Sequence, residues 1–433
     1  MTKAIRVTAT DSNFEREKLV HPFGFKGAFL TELWQGASRI QSSSGISAIG
    51  LATQSVLYGD AELFAGCSEA AGNALMYLLA NRALKAVTET AFHTPMELLD
   101  AIWPQVHAHA KLLTEKPDIH SNFICNALVS VDNAAWLLYA AENRITSFDA
   151  MIPTDYQPVL AYRNKKVAIL YQVSYTMPVE KIRAAADDGY FVFKIKTGAP
   201  GNQETMLQAD MDRLTQIHET LKHYRTPHTP DGRLLYTMDA NGRYEKKETL
   251  MRYLDHARRI GAFGHILFYE EPLAEENDED VRDVGVRIAG DESIHDERTA
   301  LKRIAQGYGA IVLKGIAKTL SLSLRMAKLA HERNVPCLCA DLTVNPILVD
   351  WHKNLAARLA PFPGIGMALM ETNGDSNYVN WRRMSAQHPY AGASWLQRRD
   401  GAFDLDDDFY RSNGGIFHPP VQYASLFDKY LTK

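Results

Sequence analysis

Between about residues 167 and 370 the chain repeats one pattern. A run of four to six apolar residues ends in a polar or charged one, and a stretch with apolar positions three and four apart follows. The runs read FVFKIKTG (191–198), LLYTMDANG (234–242), HILFYEEPL (265–273), RIAGDES (287–293) and AIVLKG (310–315). A short apolar run of this kind is a strand buried on both faces that reaches its mouth at the polar residue. Helical stretches separate the runs, so the pattern predicts βα units in a closed barrel or a doubly wound sheet. A first strand falls at 167–175, and Pro178 opens a helix to 187 from a first-turn position that suits proline. Further helices are predicted over about 202–223, 247–260, 297–306 and 320–333, with strands at 336–340 and 366–370. Residues 224–232 hold two prolines and a glycine and read as a loop.

The first part of the chain is patterned differently. Strand-like sequence at 4–10, 32–39 and 47–51, with a Gly- and Phe-containing segment at 23–29, gives way to helical periodicity at 69–90, 95–113 and 125–143. Strands followed by helices predict an α+β domain. The division is therefore an α+β domain over 1–152, a β/α barrel over 153–370, and an aromatic-, Asn- and Gly-rich segment over 371–433. A length of 433 residues suits a barrel plus a second domain. A net charge of −4 gives no footing for nucleic acid or an anionic membrane surface. Four irregularly spaced cysteines suit a reducing cytoplasm. The N-terminus shows no apolar signal region, and no stretch reaches the length that spans a bilayer.

The candidate chemistry lies where the apolar runs end. Lys196, Asp239, Glu270, Asp291 and Lys314 occupy corresponding strand ends, and the C-terminal ends of barrel strands converge on one site. Three carboxylates would meet between two lysines, which describes a divalent-cation site with a base on either side. A hard cation held by Asp239, Glu270 and Asp291 would neutralise the enediolate formed when a proton leaves the carbon beside a carboxylate. One lysine would take that proton and the other would return one. Either must first lose its own proton, so its pKa has to fall; a nearby cation and a second ammonium both act that way. Lys194, two residues before Lys196 on the same strand face, is placed to be that second ammonium. Glu271 and Glu292 follow ligands directly and are expected to point away as structural ion-pair partners. Lys318, one helical turn beyond Lys314, is expected to play a supporting role.

The K-x-K pair, D-x-N, E-E-P, D-E-S and the lysine of the sixth strand, in that order, resemble the enolase superfamily. Within it they resemble the mandelate racemase/muconate lactonizing enzyme branch and its muconate lactonizing, dipeptide epimerase-like subgroup. The resemblance implies a TIM-type (β/α)8 or modified barrel under an N-terminal α+β capping domain, with the C-terminal segment returning to the cap. It implies Mg2+, with Mn2+ as a substitute, a small-molecule carboxylate substrate and a homo-oligomer. Lysines on the second and sixth strands imply racemisation or epimerisation of an amino acid derivative or dipeptide. Dehydration or cycloisomerisation is the other reaction these parts can run. The chain departs from the subgroup in two places: Lys314 is followed by GIAKTLSLS without a double glycine, and strand eight ends at Glu371 without an Asp-x-Asp. Strand seven ends Cys339-Ala340-Asp341 with no histidine nearby, which argues against the mandelate racemase-like members and acid-sugar dehydratases that use a His-Asp pair there. Glu371 and Asn241 are the expected substrate contacts at the barrel mouth. Phe25 and Phe29, in the capping segment, are expected to close over an apolar substrate group.

Overall fold

The computed structural model describes residues 4–25 and 28–428, with the side chains of 24, 25 and 28 outside the described part. Ile5–Phe25 (β1), Ala28–Ser42 (β2), Ser47–Gln54 (β3) and Ala91–Phe92 (β4) form an antiparallel sheet in the order β3-β2-β1-β4. The β1–β2 hairpin is far longer than the sequence pattern suggests. Residues 11–18 of β1 (DSNFEREK) are polar but for Phe14 and hide the strand, yet they pair with β2 from Asp11↔Arg39 to Lys18↔Glu32. The helices Glu69–Thr88 (α1), Pro95–Thr114 (α2) and Ser121–Glu142 (α3) pack on this sheet.

By length and hydropathy alone α3 could cross a membrane, which corrects the expectation that no stretch could. Its 18-residue apolar window is 94% buried inside the protein, so its apolarity is that of a core helix.

Eight parallel strands close into a barrel. They are Lys166–Val173 (β5), Val192–Lys196 (β6), Leu235–Asp239 (β7), Ile266–Glu270 (β8), Ile288–Gly290 (β9), Ala310–Leu313 (β10), Cys337–Cys339 (β11) and Ala368–Glu371 (β12). Each pairs with its neighbour, and β12 pairs with β5 to close the ring. An antiparallel hairpin, Arg398–Arg399 (β13) and Ala402–Asp404 (β14), covers the early part of β5, from Lys166 to Ala168, before β6 begins its pairing at Leu170. That satisfies backbone groups that would otherwise form an open edge.

The helices Val179–Asp187 (α4), Gln203–Leu221 (α5), Lys247–Arg259 (α6), Glu297–Ala305 (α7), Leu320–Glu332 (α8) and Pro346–Ala356 (α9) make six of the seven crossovers. The β8–β9 crossover carries no helix among the described residues, against the expectation that helices separate all the runs. Pro272 and the Asn277 and Asp280 side chains, which accept from Glu279 N and Arg282 N, favour turns there. The buried guanidinium of Arg303 satisfies the carbonyls of Ala274, Glu275 and Asn277 that a helix would have used. In the opposite sense α9 was not expected, although Asn345 caps it and Pro346 opens it.

The cap and the barrel are joined by polar contacts inside apolar packing. Asp132 on α3 accepts from Ser321 N at 3.1 Å and Ser321 Oγ at 2.5 Å at the start of α8, and Trp136 Nε1 donates to the same Oγ at 3.0 Å. The C-terminal segment packs against β1. Glu17 accepts from Asn380 and pairs with Arg383, Gln422 donates to Glu15, and Asn13 donates to the Leu426 carbonyl in Val421–Asp428 (α10).

Burial pushes the Asp132 carboxyl up to about 6, against the lowering by Ser321. The folded chain thus holds this proton more tightly than the unfolded chain, whose Asp pKa is near ~3.9. The contribution favours folding below about pH 4 and is lost as pH rises to about 6. Asp132→Asn is expected to gain stability relative to the parent chain over that window, by up to about 1.4 kcal/mol per pH unit. Urea unfolding of both proteins at pH 4 to 7 checks this; parallel pH curves would contradict it.

Candidate active site

The parallel register places the strand ends side by side. Lys196, Asp239 and Glu270 are level with one another across β6, β7 and β8. Residues level in parallel strands face the same way, so all three point into the barrel mouth. Asp291 follows the last residue of β9 and Lys314 the last of β10. Asp239, Glu270 and Asp291 are buried to 1% exposure or less, and Lys194, Lys196 and Lys314 to 4% or less.

The charges interleave. Lys194 Nζ lies 3.0 Å from Asp239 Oδ2, 2.9 Å from Glu270 Oε1 and 3.0 Å from Glu371 Oε2. Lys196 Nζ donates to Asp239 Oδ2 at 2.6 Å and to Asn241 Oδ1 at 2.9 Å. Lys314 Nζ lies 2.5 Å from Asp291 Oδ2. Lys318 Nζ donates to the Asp291 carbonyl and Oδ1 and to the Ile294 carbonyl, so it fixes both the carboxylate and the turn that carries it. Because β6 and β10 stand four strands apart in a ring of eight, Lys196 and Lys314 lie on opposite sides of the mouth.

Within the protein itself Lys194 and Lys314 are not held neutral. Burial draws the Lys194 pKa down, but Asp239, Glu270, Glu371 and Asp291 outweigh it and hold it well above the usual range. Lys314 is likewise raised, by Asp291 and Glu292 against its burial. Lys194 is thus held as the ammonium its place beside Lys196 calls for, whereas the Lys314 direction is the reverse of what proton abstraction needs. The cause in both is the number of carboxylates around the ammonium, which outweighs its burial.

The carboxylates respond to the same crowding. Asp239 falls to about 2 despite burial, through Lys194 and Lys196. Glu270 is pushed well up, first by burial and then by Asp239, with Asp291 adding to it. Glu270 Oε2 accepts no well-angled hydrogen bond although Lys194 Nζ is 2.9 Å away. A buried carboxylate oxygen without a proper donor, beside two like charges, fits a donor set for a hard divalent cation.

The remaining expected residues divide. Asn241, at φ +48 in its turn, holds Lys196 through Oδ1 and donates to Glu292 Oε1 at 2.9 Å, while its backbone N–H donates to Asp239 Oδ1. Its polar groups are therefore spent on cross-linking the site. Glu371 lines the cavity and accepts from Lys194. Phe29 is 53% exposed and stands outside the cavity lining, so it does not close over the site as expected. The Phe25 side chain lies outside the described residues. Leu19, Phe23, Leu30 and Leu33 of the β1–β2 hairpin form the apolar wall instead. The register shift between Lys18 and Phe23 interrupts the hairpin's alternation, and these four residues line the cavity on either side of it.

Glu271 accepts from Asp291 N at 2.6 Å and lies 3.9 Å from Arg303, as a structural partner should. Glu292 does not point away, because β9 ends at Gly290 and a tight turn replaces the two-residue alternation. Sequence reasoning also missed Tyr58, in the cap turn Val56–Gly59, whose ring centre is 4.5 Å from Lys314 Nζ. It missed Asp341 as well, which burial and Glu371 push up to about 7 and which accepts from the N–H groups of Leu342, Val344 and Asn373. No local pattern marks either residue.

Residues 178–389 match the family model described as Enolase C-terminal domain-like. The barrel belongs to the enolase superfamily. No curated protein matches the chain in sequence. Solved superfamily structures share the fold over nearly the whole length. A dipeptide epimerase from Enterococcus faecalis V583, complexed with Mg and the dipeptide L-Leu-L-Tyr, aligns at TM-score 0.63 and 14% identity, covering 93% of this chain and 97% of that one. A racemase from Streptomyces coelicolor A3(2) with bound magnesium aligns at 0.64 and 15%, covering 92% and 94%. A mandelate racemase/muconate lactonizing protein from Herpetosiphon aurantiacus aligns at 0.63 and 14%, covering 93% and 96%. At these identities the likeness is one of fold, and the closed barrel under an antiparallel cap is the superfamily's architecture.

Lys318→Met leaves Asp291 buried with one of its two ammonium partners gone. Breaking a buried pair from one side costs about 3–5 kcal/mol. The variant is expected to lose stability of that order in urea unfolding; a loss under about 1 kcal/mol would show that Lys318 does not hold the turn.

Proposed function

We propose that this chain is a divalent-cation-dependent enzyme that removes the proton α to a substrate carboxylate and returns one from the opposite face. The observation that carries the reading is the placement of Lys196 and Lys314 four strands apart around one buried carboxylate group, both lining the same cavity. Two opposed proton carriers suit 1,1-proton transfer, so the reaction is racemisation or epimerisation of an amino acid derivative or dipeptide. Dehydration or cycloisomerisation would use one of these lysines as base and leave the other without a proton to move.

Asp239, Glu270 and Asp291 would hold the cation, Mg2+ with Mn2+ as substitute. The ion would supply positive charge that offsets both the carboxylates keeping Lys194 and Lys314 protonated and the charge developing on the substrate. Asn241 aims Lys196, and Lys318 holds the turn that presents Asp291. The Tyr58 ring covers the Lys314 ammonium and limits its excursions. Leu19, Phe23, Leu30 and Leu33 exclude water above the mouth and offer an apolar surface to a side chain. The Enterococcus faecalis protein has the dipeptide L-Leu-L-Tyr bound, which supports a substrate with large side chains here. Glu371 and Asp341, across the cavity, are positioned to meet a polar or cationic end.

The test is proton exchange in D2O with Mg2+, over pools of dipeptides and N-acylamino acids resolved by mass and NMR. Deuterium is expected at an α position with inversion of configuration. Lys196→Ala and Lys314→Ala should each slow inversion by about 10²–10⁴-fold. Each should retain exchange from one enantiomer only, and the two variants should retain opposite ones. Inversion at parental rates in both variants would sink the assignment; deuterium accompanied by loss of water would move the reaction to elimination.

A further inference from the structure

Outside the barrel mouth, three metal-ligating side chains from separate segments meet at the seam between cap and barrel. They are His120, which caps α3, Glu275 in the helix-free β8–β9 crossover, and His295 in the turn after β9. We propose that His120, Glu275 and His295 form a second cation site, selective for a transition metal of the Zn2+ class.

The geometry is already assembled. His120 Nε2 is 2.9 Å from Glu275 Oε2, His295 Nε2 is 2.8 Å from Glu275 Oε1, and the ligand atoms all lie within 4.8 Å of one another. Tetrahedral bonds of about 2.0–2.1 Å place neighbouring ligand atoms about 3.3 Å apart, so a modest opening of the cluster admits an ion. The side chains are 30%, 35% and 13% exposed, which leaves a route to solvent and room for water as a fourth ligand. Two imidazoles and one carboxylate favour Zn2+, Co2+ or Ni2+ over Mg2+, which prefers oxygen ligands.

The ring of His120 carries a distinctive consequence. Its Nδ1 accepts from Asn122 N at 3.0 Å, which places the ring proton on Nε2 in the hydrogen-bonded form. Metal at Nε2 displaces that proton and calls for one on Nδ1, so loading exchanges the capping bond for a metal bond. Losing one capping bond is small against three metal–ligand bonds. An ion here would bind the cap to the turn that bears the barrel ligand Asp291. Asn122 Nδ2 donates to the Glu292 carbonyl at 3.2 Å, and Lys318 donates to the Ile294 carbonyl on that turn. The site stands apart from the catalytic proposal, and its test reads metal binding alone.

The full-length protein, stripped with chelator and then saturated with Mg2+, would be titrated with Co2+ and followed by its visible ligand-field absorption and by equilibrium dialysis. One equivalent of Co2+ is expected to bind, to be displaced by Zn2+, and to bind unchanged in Asp239→Asn. His120→Asn retains a capping side chain, so it removes the ligand without unseating α3. It and His295→Gln should each weaken binding at least tenfold, and Zn2+ should raise the Tm of the parent chain but of neither variant. Unchanged Co2+ binding in both histidine variants, or no Co2+ bound beside Mg2+, would overturn the proposal and leave the cluster as a hydrogen-bonded clasp.

Discussion

Three carboxylates can be buried together at the mouth of this barrel only because ammonium groups stand among them. An isolated ionised carboxylate in such a place would take up a proton instead. Lys194 and Lys196 on β6, Lys314 after β10 and Lys318 beyond it supply the opposing charge from both sides of Asp239, Glu270 and Asp291. The rest of the structure serves that arrangement. Parallel register brings β6, β7 and β8 level, closure of the ring brings β10 across from β6, and the cap removes water from above. The cap also holds the barrel elements beside the site: Asn122 reaches the Glu292 carbonyl, and Asp132 grips the start of α8.

The division of labour between the two layers follows from their geometry. Side chains at barrel strand ends sit on a rigid closed sheet, so the lysines and carboxylates keep their relative positions. The apolar wall belongs to the long β1–β2 hairpin, tied down by the Leu19–Tyr378 bridge and by Glu17 with Asn380 and Arg383. A hairpin of this kind can change its facing residues without disturbing the strand ends. On the proposed function, the chemistry would be set by the barrel and the choice of substrate by the hairpin and the strand-eight end.

The barrel was legible in the sequence because buried parallel strands announce themselves twice, by an apolar run and by a charge where the run stops. Lys196, Asp239, Glu270, Asp291 and Lys314 are all of this type. What the sequence concealed lies where local pattern and tertiary role part company. The run 11–18, polar but for Phe14, belongs to a continuous strand at the sheet's edge, where one side-chain face and one backbone side are wet and the strand need not look apolar. Glu292 turns inward because a tight turn follows Gly290 at once, so alternation gave the wrong side. Tyr58 and Asp341 reach the site through packing that leaves no periodic trace. The wall residues Leu19, Phe23, Leu30 and Leu33 could be recovered only once the hairpin's register was known; aromatic content alone pointed to Phe29, which faces solvent.

The central claim is that Asp239, Glu270 and Asp291 jointly hold one divalent cation. Anomalous diffraction from crystals of the protein grown with Mn2+ tests it most directly. A single anomalous peak within bonding distance of carboxylate oxygens from all three residues is the expected result. A peak that leaves out any one of them, or none at the barrel mouth with Lys194, Lys196 and Lys314 still closed on the carboxylates, would contradict it.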